Sequence, residues 1–534
     1  MEQDPATTPE TPEEELRVET EPVGLDEQRV NAVARELIRN PALDEYLADT
    51  RHRLLSFELV DVEEKLEEPR EPDRYLATYY DYTNSRSLLV EGSLTDRDEI
   101  TVTPSSMQPL PSPEEFASAV EVVSQDDDFG ALISDGLFQP YEPMPPVVEV
   151  EAPDGRVERT LAVGLLPRDR RSGHHEIVGI NMARQIVERY DDDAPSSSRA
   201  TRSTCGAPVS AGQATTGKGV PGQVWITVLQ GGTVLWRFLA VRPSASSGTW
   251  GSGVELRHVS YRGRSVLYRA HVPILNVLYD ANACGPYRDW QYQEGMIQAN
   301  GTTVAPGFIL CPTPAQTILD TGSDVGNFLG VAIYVAGQEV VLVSEMQAGW
   351  YRYISEWRLH SNGTIRPRFG FDATSSSCVC VRHHHHVYWR LDFDIETAGN
   401  NIIREFNDPP IIAGSNWHTK QYEIMRLRSQ PHQRRWRVEN ASSQRGYTVI
   451  PGANDSTAAG DPYAKGDVWF LRYHAGEIDD SPIIGTEIQI DKYRNGESLV
   501  NQDVVVWYGA HFTHDITGPH VDHVVGPDLR PHNW

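Results

Sequence analysis

The sequence has little cysteine, little positive charge and no long apolar run. Its five cysteines (Cys205, Cys284, Cys311, Cys378, Cys380) are few, odd in number and scattered over 534 residues, so no disulfide framework is expected. Lys and Arg total 47 against 75 Asp and Glu, a formal net charge of −28. That balance makes nucleic acid or an anionic membrane a poor partner. No stretch is apolar for long enough to span a bilayer, and the N-terminal MEQDPATTPETPEEEL has no signal-peptide core, so the expected compartment is the cytoplasm.

What is present divides the chain. Residues 1–23 are rich in Glu, Pro and Thr and read as a disordered acidic tail. Residues 24–105 open with a helical pattern (Val30, Val33, Ala34, Leu37) and continue in short alternating strands. Residues 106–193 repeat that plan, starting from the helix signal Ser112-Pro113-Glu114-Glu115. Two small α+β domains are therefore expected, followed by a linker at 194–212. From 213 to 534 the composition turns to β-branched and aromatic runs separated by turn signals such as Ser361-Asn362-Gly363. The expected fold class is α+β, the two small units preceding a large antiparallel β-sandwich.

Inside that β-rich region lies VCVRHHHHVYWRLDFD (379–394). Side chains on a strand alternate between faces, so His383 and His385 share one face and His384 and His386 the other. An H-x-H pair on a strand sets two imidazoles where one metal ion can bridge them, and imidazole suits Cu, Zn, Fe and Ni. A second histidine cluster follows the strand DVVVWYGA, beginning with His511 and His514. A third imidazole from that strand completes a three-histidine set with an open position, as catalytic metals need. Cys378 and Cys380 precede the histidines with C-x-C spacing. They read as small buried residues or as soft ligands for zinc.

At these residues the sequence resembles the copper-dependent, topaquinone-containing primary amine oxidases. Four segments carry the resemblance in order: VELRHVSYRGRSVLYRAHV (254–272) running on through Tyr279 to YRDW, GWYRYISEWRLHSNGTI (349–365), HHHHVYWRLDFD and DVVVWYGAHFTH. The resemblance implies that Tyr351 is the tyrosine converted to topaquinone and that Asp289 is the catalytic base. It further implies that Tyr279 hydrogen-bonds the quinone and that His514 is the third ligand of Cu2+. Counting back without a gap from Arg390-Leu391-Asp392 makes His383 and His385 the other two ligands. Matching Val387-Tyr388 with one deletion makes them His384 and His386, and the gapless count is preferred. A peripheral calcium-like site is implied on Asp392, Asp394 and Asp503 with the carbonyls of Phe393 and Val504, since hard oxygen ligands favour Ca2+.

The reaction so implied turns a primary amine, O2 and water into an aldehyde, ammonia and hydrogen peroxide, in a homodimer. The sequence also departs from the family. Trp350 replaces the asparagine before the cofactor tyrosine, and Arg352 the acidic residue after it. The interval from Tyr351 to His383 is short where relatives carry an arm that embraces the partner subunit. Two alternatives follow: a copper- or zinc-binding β-sandwich that has lost the quinone, or a specialised biosynthetic amine oxidase.

Overall fold

A computed structural model of the chain describes all residues except 1–13, 24–26, 61–64, 66–72, 144–145, 152–156, 168–175, 190–204, 208–221, 249–252, 283, 285, 290–292, 377, 459–462, 481–486 and 515–523. Two small α+β units come first. In one, strands His52–Val60, Arg74–Asp81, Arg86–Ser93 and Ile100–Ser105 form an antiparallel meander beside the helices Glu27–Leu37 and Pro41–Leu47. Asn40 starts the second of these helices, its side chain accepting from the Ala42 N–H at 3.0 Å. In the other unit a five-stranded sheet lies beside the helix Pro113–Ser124, whose N-terminus Ser112 caps by accepting from the Glu115 N–H at 3.1 Å. The two units meet through Glu115, which takes the Tyr82 hydroxyl at 2.6 Å and the Arg159 guanidinium at 2.6 and 2.7 Å.

The rest of the chain is a sandwich of a ten-stranded and a twelve-stranded sheet, so the expected fold class holds. One apolar core fills the space between the sheets. From the first sheet it takes Trp236, Leu275 and Trp389, and from the second Trp357, Phe369 and Trp436. Three neighbouring strands of the first sheet matter below: Arg264–Tyr279, the histidine strand His383–Phe393, and Val504–His514. The histidine strand is central, and all its residues but the half-buried His384 are buried, its polar ones included.

Three expectations are corrected. The tail is not wholly disordered. Leu16–Pro22 is an edge strand of the ten-stranded sheet, pairing antiparallel with Gln223–Gln230, and Leu16 is buried. Its alternation of Leu16 and Val18 with Arg17 and Glu19 is a half-buried strand pattern that the surrounding Glu and Pro conceal. Residues 1–13 lie outside the described residues. Second, the cysteines do form disulfides: Cys205 with Cys380, and Cys284 with Cys378, leaving Cys311 free and buried. Third, Cys205 and Ala207, within the expected linker, are bonded to the sandwich through backbone contacts with Ser376 and Ala373. Apart from Gly206 between them, the remaining linker residues are outside the described residues.

Candidate active site

Register brings the candidate residues together. His383 sits opposite Tyr279 on one neighbouring strand and opposite His514 on the other. The strand Tyr351–His360 belongs to the facing sheet, and its first residue points across the sandwich at this row. A two-residue hairpin delivers it there. Ala348 pairs with Tyr351, and Gly349 takes a φ of +56° that a residue with a side chain rarely adopts. The Tyr351 hydroxyl is hydrogen-bonded to His383 Nε2 and lies 3.1 Å from His514 Nδ1. The His385 ring stands edge-on to Tyr351 at 4.5 Å, and the centroids of His383 and His514 are 4.8 Å apart. Tyr351 itself is 2% exposed, and burial raises its pKa well above that of a free phenol.

The alternate histidines face the other way. His384 Nδ1 lies 2.9 Å from Thr513 Oγ1, and His386 Nδ1 lies 3.0 Å from His511 Nδ1. His511 is held in turn by Asp467 at 3.0 Å. Strand alternation thus puts His383 and His385, but not His384 and His386, on the face that meets Tyr351.

Asp289 follows the short strand Pro286–Arg288 and is 1% exposed. Burial pushes its carboxyl up to about 8, against the opposing effect of a hydrogen bond donated by the Tyr353 hydroxyl to Oδ2. Its other oxygen, Oδ1, is buried with no hydrogen-bond partner among the described residues. Tyr353 is two residues beyond Tyr351 on the same face, and the two rings are parallel at 5.3 Å. Tyr279 stacks on His383 at 4.6 Å, and its hydroxyl accepts the Trp350 indole N–H at 3.0 Å. Arg352 points away from the site. It forms a buried two-bond pair with Asp324, at 2.8 and 3.0 Å. The links made by Tyr353, Trp350 and Asp324 had no signal in the sequence beyond the unusual residues at 350 and 352.

The donor set suits copper in kind: three buried imidazoles beside a phenol. The Tyr351 hydroxyl stands between His383 and His514, and the three imidazoles surround the phenol as a splayed set. Among the described residues, the one group of three ligand side chains with atoms all within 4.8 Å is Asp392, Asp394 and Asp503. These are the side chains of the expected calcium-like site, and they do not fit that ion here. Lys65 Nζ lies among them, 2.6 Å from Asp392, 2.6 Å from Asp394 and 2.8 Å from Asp503. Phe393 and Val504 pair with each other beside this cluster.

No protein-family model matches the chain. Over 379 residues it is 23% identical to primary amine oxidase 1 of Arabidopsis thaliana, an alignment covering 52% of this chain and 56% of that protein. The match thus spans little more than half the length of that relative. In fold, the chain is similar to the copper-containing benzylamine oxidase of Hansenula polymorpha, with a TM-score of 0.57 at 12% identity over 96% of this chain and 97% of that one. It is similar also to the lysyl oxidase of Pichia pastoris (TM-score 0.55, 12% identity, 100% and 91% covered). The amine oxidase of Aspergillus nidulans gives 0.55 at 13% identity, with 99% and 90% covered. The described residues therefore have the fold of these amine oxidases.

Proposed function

We propose that the chain is a copper-dependent oxidase of primary amines whose quinone cofactor is made from Tyr351. The supporting observation is the Tyr351 phenol, buried against His383, His385 and His514 where the two sheets face each other. These three histidines would hold the metal. Bound there, copper supplies the redox chemistry that turns a phenol into topaquinone, and the quinone supplies a carbonyl to capture the amine. The net reaction consumes the amine, O2 and water and releases an aldehyde, ammonia and hydrogen peroxide.

The protein's own groups account for the proton and the orientation. Asp289 accepts the substrate's α-proton, and burial gives its carboxylate the proton affinity that this transfer needs. The bond from Tyr353 fixes Oδ2 and leaves Oδ1 to receive the proton. The parallel Tyr353 ring also limits tilting of residue 351. Tyr279 braces His383 by stacking, and Trp350 sets the Tyr279 ring through its indole bond.

A second reading is a metal-binding sandwich without a quinone. It is favoured by that same Trp350–Tyr279 bond, which engages the hydroxyl expected to hold the quinone. Aerobic loading with Cu2+, followed by phenylhydrazine and the mass of the Tyr351 peptide, separates the two. A trapped quinone carbonyl supports the oxidase, and peroxide release across a panel of primary amines then finds the substrate. Bound copper with an unmodified Tyr351 supports the second reading.

Assembly as a homodimer belongs to the oxidase reading. Among the described residues no helix is long and apolar enough to cross a membrane. Two disulfides point to an oxidising compartment and weigh against the cytoplasmic expectation.

A further inference from the structure

Lys65 lies on the connection between the strands His52–Val60 and Arg74–Asp81 of the first small unit. Its three acidic partners are more than 300 residues away in sequence, on the sandwich. Asp392 and Asp394 are two apart at the end of the histidine strand, so they share a face. Asp503 immediately precedes the strand Val504–His514, whose Val504 pairs with Phe393. Register alone therefore gathers three carboxylates at one end of the sheet. Asp392 is fully buried and Asp394 nearly so.

Three carboxylates so placed repel one another, and the pKa values of Asp394 and Asp503 are raised, first by burial and next by the charge of Asp392. An ammonium has three N–H donors and no acceptor. Here each carboxylate takes an oxygen to within 2.8 Å or less of the one nitrogen. The rings of Tyr473 and Tyr268, at 4.4 and 5.2 Å, add cation–π attraction. Burial opposes the lysine's charge, but the three aspartates outweigh it and hold its pKa above that of a free lysine. Arg390, 3.5 Å from Asp392, supplies a further positive charge.

A divalent ion at this point would need six to eight oxygens at about 2.3–2.6 Å, several of them from these same carboxylates. The ammonium already stands at their common focus, and two cations cannot share it. We propose that Lys65 is a built-in cation which closes a latent hard-cation site on the sandwich and fastens the first small unit to it. This chain accordingly dispenses with a peripheral calcium ion, and removing the lysine opens the site to one. The inference does not depend on the amine oxidase reading, because none of these groups touches Tyr351 or the histidines assigned to copper.

The test uses the full chain and Lys65→Met, which keeps the aliphatic stem and removes the charge. The parent should show no calcium-dependent change in Tm and no terbium emission under tyrosine excitation. The variant should melt lower, recover with CaCl2 but not with KCl, and bind Ca2+ at least about tenfold more tightly than the parent. Tyr473 and Tyr268 should sensitise terbium in the variant, and adding Asp394→Asn should abolish that signal. A parent that binds Ca2+ as tightly as the variant overturns the proposal, as does a folded variant that binds neither ion. Should Lys65→Met not fold, Lys65→Gln expressed with and without CaCl2 decides. Soluble protein dependent on calcium supports the proposal, and soluble protein independent of it, or none under either condition, overturns it.

Discussion

Trp350 donates its indole N–H to the hydroxyl of Tyr279 at 3.0 Å, joining the turn before the candidate cofactor tyrosine to the strand beside the histidines. The bond costs the site one hydroxyl that could otherwise orient a quinone, and it adds a bulky ring next to Tyr351. Trp350→Asn should therefore remove this bond to Tyr279 and raise the rate of quinone formation several-fold, followed as phenylhydrazine-reactive absorbance during aerobic copper loading. Trp350→Phe, which removes the donor but keeps the bulk, should fall between the variant and the parent. An unchanged rate in both would show that the bond does not limit the cofactor.

His514 stands across the register from His383, and both flank the Tyr351 hydroxyl. His514→Ala should weaken copper binding by more than about 100-fold, since even groups behind the ligands typically account for 10–100-fold. Replacing His383 and His385 together should do the same. Replacing His384 and His386 together should leave one copper per chain, because their rings face Thr513 and His511. Metal analysis after dialysis reads all three.

Tyr351→Phe should abolish both the visible absorbance and the reaction with phenylhydrazine. Asp289→Asn should keep the quinone and lose turnover, since it removes a base and leaves the phenol and imidazoles in place. Retained turnover in the Asn variant would remove Asp289 from the mechanism.

Asp289 also predicts a pH effect on stability. Its folded pKa of about 8 lies above the ordinary value of 3.8, so the folded protein keeps a proton that the unfolded chain has lost. Stability should fall as pH rises from about 4 to about 8, and this contribution should level off above that. Asp289→Asn should flatten the slope and raise Tm at neutral pH, as seen in thermal melts across that range.

The pairs Cys205–Cys380 and Cys284–Cys378 bridge 175 and 94 residues of sequence. Each, removed by paired Ser substitutions, should lower stability by about 2–4 kcal/mol, and non-reducing peptide maps should recover both links. Both close on the short stretch just ahead of His383, so copper retention should fall along with stability.

Legibility of the sequence followed distance along the chain. The H-x-H faces could be read because strand alternation is local, and the structure places His383 and His385 on the side facing Tyr351. Trp350 and Arg352 stood out as departures, yet their partners Tyr279 and Asp324 are 71 and 28 residues away. Lys65 sits in DVEEKLEEP, within the expected short strands, and nothing local to it signals the three distant aspartates that it meets. The cysteines carried no pairing signal because C-x-C spacing is equally that of small strand residues. The strand at Leu16–Pro22 was hidden by its acidic setting, and its partner lies more than 200 residues on.

That first strand has a consequence for the newly made chain. Leu16–Pro22 is synthesised before its partner Gln223–Gln230, which follows only after roughly 10–40 s at about 5–20 residues per second. During that interval the segment must neither be lost to a stray partner nor pull nascent chains together. Arg17, Glu19 and Glu21 alternate along it with the residues that will be covered, so every second position is solubilising while it waits. One edge of the ten-stranded sheet is thus supplied by a segment made about 200 residues before its partner, and translation speed sets how long that segment waits.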